Sequence, residues 1–188
     1  FLLLLNCVVS CKDSDVNEKK NSYPPAAPKD TTAGEGTAFN ADETSAYMSM
    51  TDWENAKAAL AVIESIIQIE MGNFTAAYSR VIEARRYDSF DAALEHSKAL
   101  DPSLAAIERS VAAITPVSKY PEFDTLKQNL SAMLPLLRSF SLKLVKSVEL
   151  AKQGDHISEA ALVKEYCNDY AKAMEYFREV YAIYGEIL

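Results

Sequence analysis

From residue 41 to the end of the chain, apolar side chains recur at steps of three and four, and no stretch shows sustained two-residue alternation. Such steps stack side chains on one face of an α-helix, so the pattern predicts helices and no strands. Tyr47, Met50, Trp53, Ala56, Leu60, Ile63, Ile67 and Met71 form a first face, and Thr51-Asp52-Trp53-Glu54 within it matches a capping box that offers a second helix start. Gly72-Asn73 reads as a break, after which Phe74, Ala77, Tyr78, Val81 and Ile82 continue an amphipathic piece towards Tyr87. Asp91 to Leu100 predicts a short helix. Asp101-Pro102 predicts the next, with Asp as N-cap and Pro at the first helical position, and Leu104, Ile107, Val111 and Ile114 carry it to about Thr115-Pro116.

Tyr120-Pro121 is a connector before a long helix with Phe123, Leu126, Leu130, Met133, Leu134, Leu137, Leu144, Val148 and Ala151 inward. Pro135 is expected to kink or split it, because proline removes a backbone donor and crowds the preceding turn. Gln153-Gly154-Asp155 predicts a turn, and Leu162, Tyr166, Tyr170, Phe177, Tyr181 and Tyr184 mark a last helix. Two long helices joined by a short turn make an α-hairpin. The expected architecture is all-α, an up-and-down bundle of four to five helices over residues 41–188.

The first forty residues are of another kind. Phe1-Leu2-Leu3-Leu4-Leu5-Asn6-Cys7-Val8-Val9-Ser10 is an apolar run too short to span a bilayer but of the length of a signal-peptide core, and residues 1–10 read as part of a lipoprotein signal. Val8, Val9, Ser10 and Cys11 resemble a lipobox: branched apolar residues and a small residue precede a cysteine whose thiol accepts the lipid. This predicts membrane attachment through an acyl anchor such as palmitate on Cys11. Lys12-Asp13-Ser14-Asp15 resembles a surface-export signal, so the outer membrane or cell surface is the expected location, with a periplasm-facing orientation left open. Residues 11–40 carry Tyr23-Pro24-Pro25-Ala26-Ala27-Pro28 and Thr31-Thr32-Ala33-Gly34-Glu35-Gly36, with almost no large apolar side chain. Such a segment cannot offset its chain entropy by burial and is expected to be a disordered tether.

Composition narrows the function. The chain has 188 residues, 49% of them apolar, and a formal net charge of −8, a sign that repels nucleic-acid phosphate and argues against nucleic acid as partner. Cys7, Cys11 and Cys167 give no disulfide framework if the first leaves with the signal and the second carries lipid; Cys167 is then expected to be a small buried residue. A di-metal bundle needs Glu-x-x-His pairs, and His96 directly follows Glu95 while His156 sits in the turn, so no metal site or cofactor is expected. There is no phosphate loop, HExxH, CxxC or nucleophile elbow, and the chain is expected not to be an enzyme. Arg80, Arg85 and Arg86 read as a solvated basic face rather than an anion site. Tyr166, Tyr170, Tyr181 and Tyr184 lie at helical spacing and admit two readings, the core face of a bundle helix or an aromatic ligand groove.

Three features resemble the YiiG-like bacterial lipoproteins, a family defined by sequence. A lipobox cysteine and a Pro/Ala-containing tether precede the domain, and a first helix carries Tyr47. Met133-Leu134-Pro135-Leu136-Leu137 is followed by a helix, by Lys152-Gln153-Gly154-Asp155, and by a helix reaching Met174-Glu175-Tyr176-Phe177. Where the family has paired tyrosines before that turn, this chain has Val148 and its neighbours. The resemblance implies a helical extracytoplasmic lipoprotein and transfers no catalytic residue. The combined expectation is a cell-envelope binding or interaction module whose partner is an envelope protein or small ligand; the alternative is a small-ligand or metal carrier built in the bundle.

Overall fold

The computed structural model describes residues 50–117 and 120–188, and these form an all-helical bundle with no strand among them. The signal, lipobox, tether and first-helix residues before Met50 lie outside the described residues. The elements are α1 (Met50–Ser65), a π-helical turn (Ile66–Glu70), α2 (Met71–Arg86), α3 (Phe90–Ser97), α4 (Leu100–Ala113), α5 (Pro121–Gln153) and α6 (His156–Ile187). None is long and apolar enough to cross a membrane.

The α5–α6 hairpin follows its sequence closely. Pro121 opens α5 with Glu122 and Asp124 in the first turn, where the positive end of the helix dipole favours carboxylates. Phe123, Leu126, Leu130, Met133, Leu137, Phe140, Leu144, Ser147, Val148 and Ala151 are buried along one seam. Pro135 lies inside α5 without dividing it, contrary to a split. It sits on the exposed side, so its ring meets water rather than packed neighbours. Gly154 ends the helix at φ +79°, a conformation that costs a residue with a Cβ more than glycine. Asp155 caps α6, accepting from the Ser158 backbone N–H at 3.1 Å, and the Ser158 hydroxyl together with that backbone bond holds its carboxyl below the usual range.

The segment from α1 to α2 is one continuous helical rod. Ser65, Glu70 and Met71 all keep right-handed helical backbone angles, so Gly72-Asn73 does not break it. Thr51 lies inside α1, not ahead of a helix start. The buried seam is Ala56, Ala59, Ile63 and Ile66, then Met71, Phe74, Ala77, Val81 and Ala84. This corrects the expected face: Leu60 and Ile67 are half-buried, and Trp53 is 52% exposed. The cause is the π turn. A pure α-helix would reach the core again four residues after Ile66, at Glu70, whereas the wider turn delays it by one residue to Met71.

The return strut is α3 and α4. Asp91 opens the charged face of α3, and α4 begins at Leu100, with Asp101 in its first turn and Pro102 at its third residue, slightly ahead of the expected Asp-Pro start. Proline is tolerated there because first-turn N–H groups have no helical partner. Leu104, Ile107, Val111 and Ile114 are buried as expected. Pairs of Arg138 with Glu108 and Lys152 with Asp91 set this strut antiparallel to α5, and Arg85 with Glu159 together with Tyr78 against Tyr170 sets α2 antiparallel to α6. The order is therefore rod, strut, α5, α6, up and down in turn. At its centre Phe140 packs against Phe74, Tyr78, Tyr166 and Tyr170 with ring centroids 6.0, 5.0, 5.7 and 4.9 Å away. Tilted and edge-on pairs of this kind bind more firmly than their area alone implies.

Candidate functional site

The π turn brings polar chemistry to the flank of the core. Glu70, its last residue, is turned towards α4, where the Ser110 hydroxyl donates to Glu70 Oε1. Glu70 Oε2 is buried and meets no donor among the described residues. An unmatched buried polar atom costs about 1–3 kcal/mol, so the fold holds this carboxylate at a penalty. Beside it a groove of about 410 Å³ runs between the rod and α4, lined by Ala61, Val62, Ser65, Glu70, Ala106, Arg109, Ser110 and Ala113. The lining is mostly alanine and valine, to which Ser65, Glu70 and Ser110 add oxygen-bearing side chains and the exposed Arg109 adds a cation. Such a surface offers a ligand both acceptors and a cation.

A second groove, of about 320 Å³, lies at the other end of α2 and is lined by Ile82, Arg85, Arg86, Asp88, Phe90, Ala151, His156 and Glu159. Its charges are largely matched to one another. Arg85 pairs with Glu159 and donates to the Tyr166 hydroxyl at 3.4 Å, and His156 Nδ1 lies 3.2 Å from the same Glu159. Arg85 is thus a tie between α2 and α6, not part of the solvated face on which Arg80 and Arg86 remain exposed. Asp88 in the adjoining loop has φ +53°, a left-handed conformation that aspartate tolerates better than most residues.

The four tyrosines of the expected ligand groove occupy different surroundings. Tyr166 and Tyr170 are buried in the ring cluster around Phe140. Tyr181 is 61% exposed, and Tyr184 is half-buried, its phenol pushed up by burial and by the nearby charge of Glu64. Cys167 is half-buried, and His156 is exposed. Val8, Val9, Ser10 and Cys11 lie outside the described residues. Among the described residues no three His, Cys, Asp or Glu side chains group in a way that could hold a metal ion.

Glu70, Ser110 and Arg109 were not singled out from the sequence. The available signal is the spacing itself: Ile66 and Met71 are both strong core residues, five apart, where helical packing calls for three or four. Comparison of the chain with protein-family models, with curated proteins and with solved structures gives no match.

Proposed function

We propose that this chain is a cell-envelope lipoprotein of the YiiG-like kind, anchored through an acylated Cys11 at the outer membrane or cell surface. In this reading the helical domain is a non-enzymatic binding module. The observation that carries the binding reading is the filled centre of the bundle. Five aromatic rings occupy the space where an interior carrier would keep a cavity, which leaves recognition to the grooves on the flanks. The anchor is supported by Val8-Val9-Ser10-Cys11 and the polar, proline-containing stretch behind it.

Labelled palmitate incorporation and detergent-phase partitioning in a bacterial host test the anchor. The expected outcome is labelled, detergent-phase protein, with Cys11→Ala unlabelled and in the aqueous phase. An unlabelled parent, or a Cys11→Ala variant that still partitions with detergent, overturns it. Protease shaving of intact cells then separates outward from periplasmic display. Metal or a small molecule retained stoichiometrically in the bundle interior through purification would replace the module with a carrier.

A further inference from the structure

We propose that the groove between α1, the π turn and α4 binds a small zwitterion, its ammonium end on Glu70 and Ser110 and its anionic end at Arg109. This names the ligand class for the binding module and is independent of the lipid anchor. Three observations converge. The π turn displaces Glu70 from the core position that Met71 takes, and π turns inside α-helices recur at functional sites. Glu70 Oε2 is buried without a donor among the described residues, so the site holds unspent acceptor capacity. The groove beside it is walled by Ala61, Val62, Ala106 and Ala113, which suit a short alkyl chain.

The donor count selects an ammonium. Its three N–H groups match the Glu70 carboxylate, the lone pairs left on Ser110 Oγ after it donates to Oε1, and the hydroxyl of Ser65, a residue that also lines the groove. The terminal torsion of glutamate is soft, so Oε2 can turn to the incoming cation without rebuilding the helix. A divalent metal fits poorly, because one carboxylate and neutral hydroxyls are a weak oxygen set for such an ion. A polyamine fits poorly as well, because its second charge would meet Arg109. An anionic far end removes that repulsion and gains a charge-assisted hydrogen bond.

Titration calorimetry on the full chain with ε-aminocaproate, n-hexylamine and caproate tests this. ε-Aminocaproate is expected to bind, n-hexylamine about tenfold more weakly, and caproate not measurably, the tenfold being the loss of one exposed charge-assisted contact. Glu70→Gln, close to isosteric, should abolish binding of both amines. Arg109→Ala should bring ε-aminocaproate down to the n-hexylamine level, and Lys146→Ala, elsewhere on α5, should change nothing. In the parent protein, amide NMR shifts on ε-aminocaproate addition should centre on Ser65, Glu70 and Ser110. Binding of neither amine by helical protein overturns the proposal, as does equal binding by Glu70→Gln, or caproate binding as tightly as the zwitterion. None of these results alters palmitate labelling, so the ligand and the anchor stand or fall separately.

Discussion

Two long helical stretches, the rod from Met50 to Arg86 and α5, meet the same core on different terms. Along α5, Phe123, Leu126, Leu130, Met133, Leu137, Phe140, Leu144, Ser147 and Ala151 alternate steps of three and four without a fault, the seven-residue period of antiparallel bundle packing. Along the rod the same alternation runs from Ala56 to Ile66, misses by one at Met71, and is regular again from Phe74 to Ala84. Where the period is unbroken the helix absorbs even an internal proline, and its buried polar groups are two serines bonded back to their own helix through Leu137 and Leu144 carbonyls. Where it breaks, a carboxylate sits at the margin of the core with an unmatched oxygen and a groove alongside. A faultless period is what scaffold needs, and a fault that the fold keeps at a cost is where a functional or strained site is expected.

The comparison can be broken most forcefully at Leu137, which is fully buried on the regular seam. Leu137→Asp buries an unpaired carboxylate, a cost of several kcal/mol that is comparable with the whole stability of a domain, and is expected to leave the protein unfolded by circular dichroism. A parent-like melt would show that α5 is not the packing centre. Deleting Ile69, an exposed residue of the π turn, makes Met71 the fourth residue after Ile66 and restores the α step. The expected outcome is retained helix content with a melting shift of a few degrees, about 1–2 kcal/mol, together with loss of ε-aminocaproate binding. Unfolding on that deletion would mean that the π turn is structural and not a local accommodation.

A smaller effect sharpens the contrast from the hairpin side. Burial opposes ionisation of Asp169, but hydrogen bonds from Lys143 and Ser139, with Lys172 nearby, outweigh it and hold its carboxyl below the ordinary range. A carboxylate depressed in the fold adds stability above its unfolded value of about pH 4, and this is lost as pH falls through the lower folded value. Asp169→Asn should therefore flatten the fall of chemical-denaturation stability below about pH 4, relative to the parent. Identical acid limbs would remove Asp169 from the α5–α6 tie. The smallest effect is expected at Lys152, whose pair with Asp91 is solvent-exposed on both sides. Lys152→Ala should cost less than about 0.5 kcal/mol in the same assay.

Much of this fold was legible because the helix period, Gly154-Asp155 and the proline-led start of α5 each point the same way. Asp155 as a cap and the inward residues from Phe123 to Ala151 follow from short-range rules that tertiary packing has no reason to override. The rod was less legible. Counting back from Met71 in ordinary helical steps selects Ile67 and Leu60, and only a wider turn selects Ile66 and Ala59. Gly72 looked like a stop because glycine is a poor helix former, yet the seam on both sides of it gains enough burial to carry the helix through. The groove residues stayed hidden for the same reason: Glu70, Arg109 and Ser110 resemble a solvated face until the turn of the rod and the position of α4 are both known.

The π turn also has a consequence for alignment. One residue inserted into an α-helix rotates everything beyond it by about 100°. Here that rotation is taken up locally, so Phe74, Ala77, Val81 and Ala84 still face the core that Ala56, Ala59, Ile63 and Ile66 address. A relative with an uninterrupted rod would therefore match this chain without a gap, because Phe74 and Ala77 already follow Ile63 and Ile66 at whole-turn spacing, and would differ in carrying its core residue at the position of Glu70 rather than Met71. The residue such a relative places at that position would tell whether it keeps the carboxylate of Glu70 or has closed the groove.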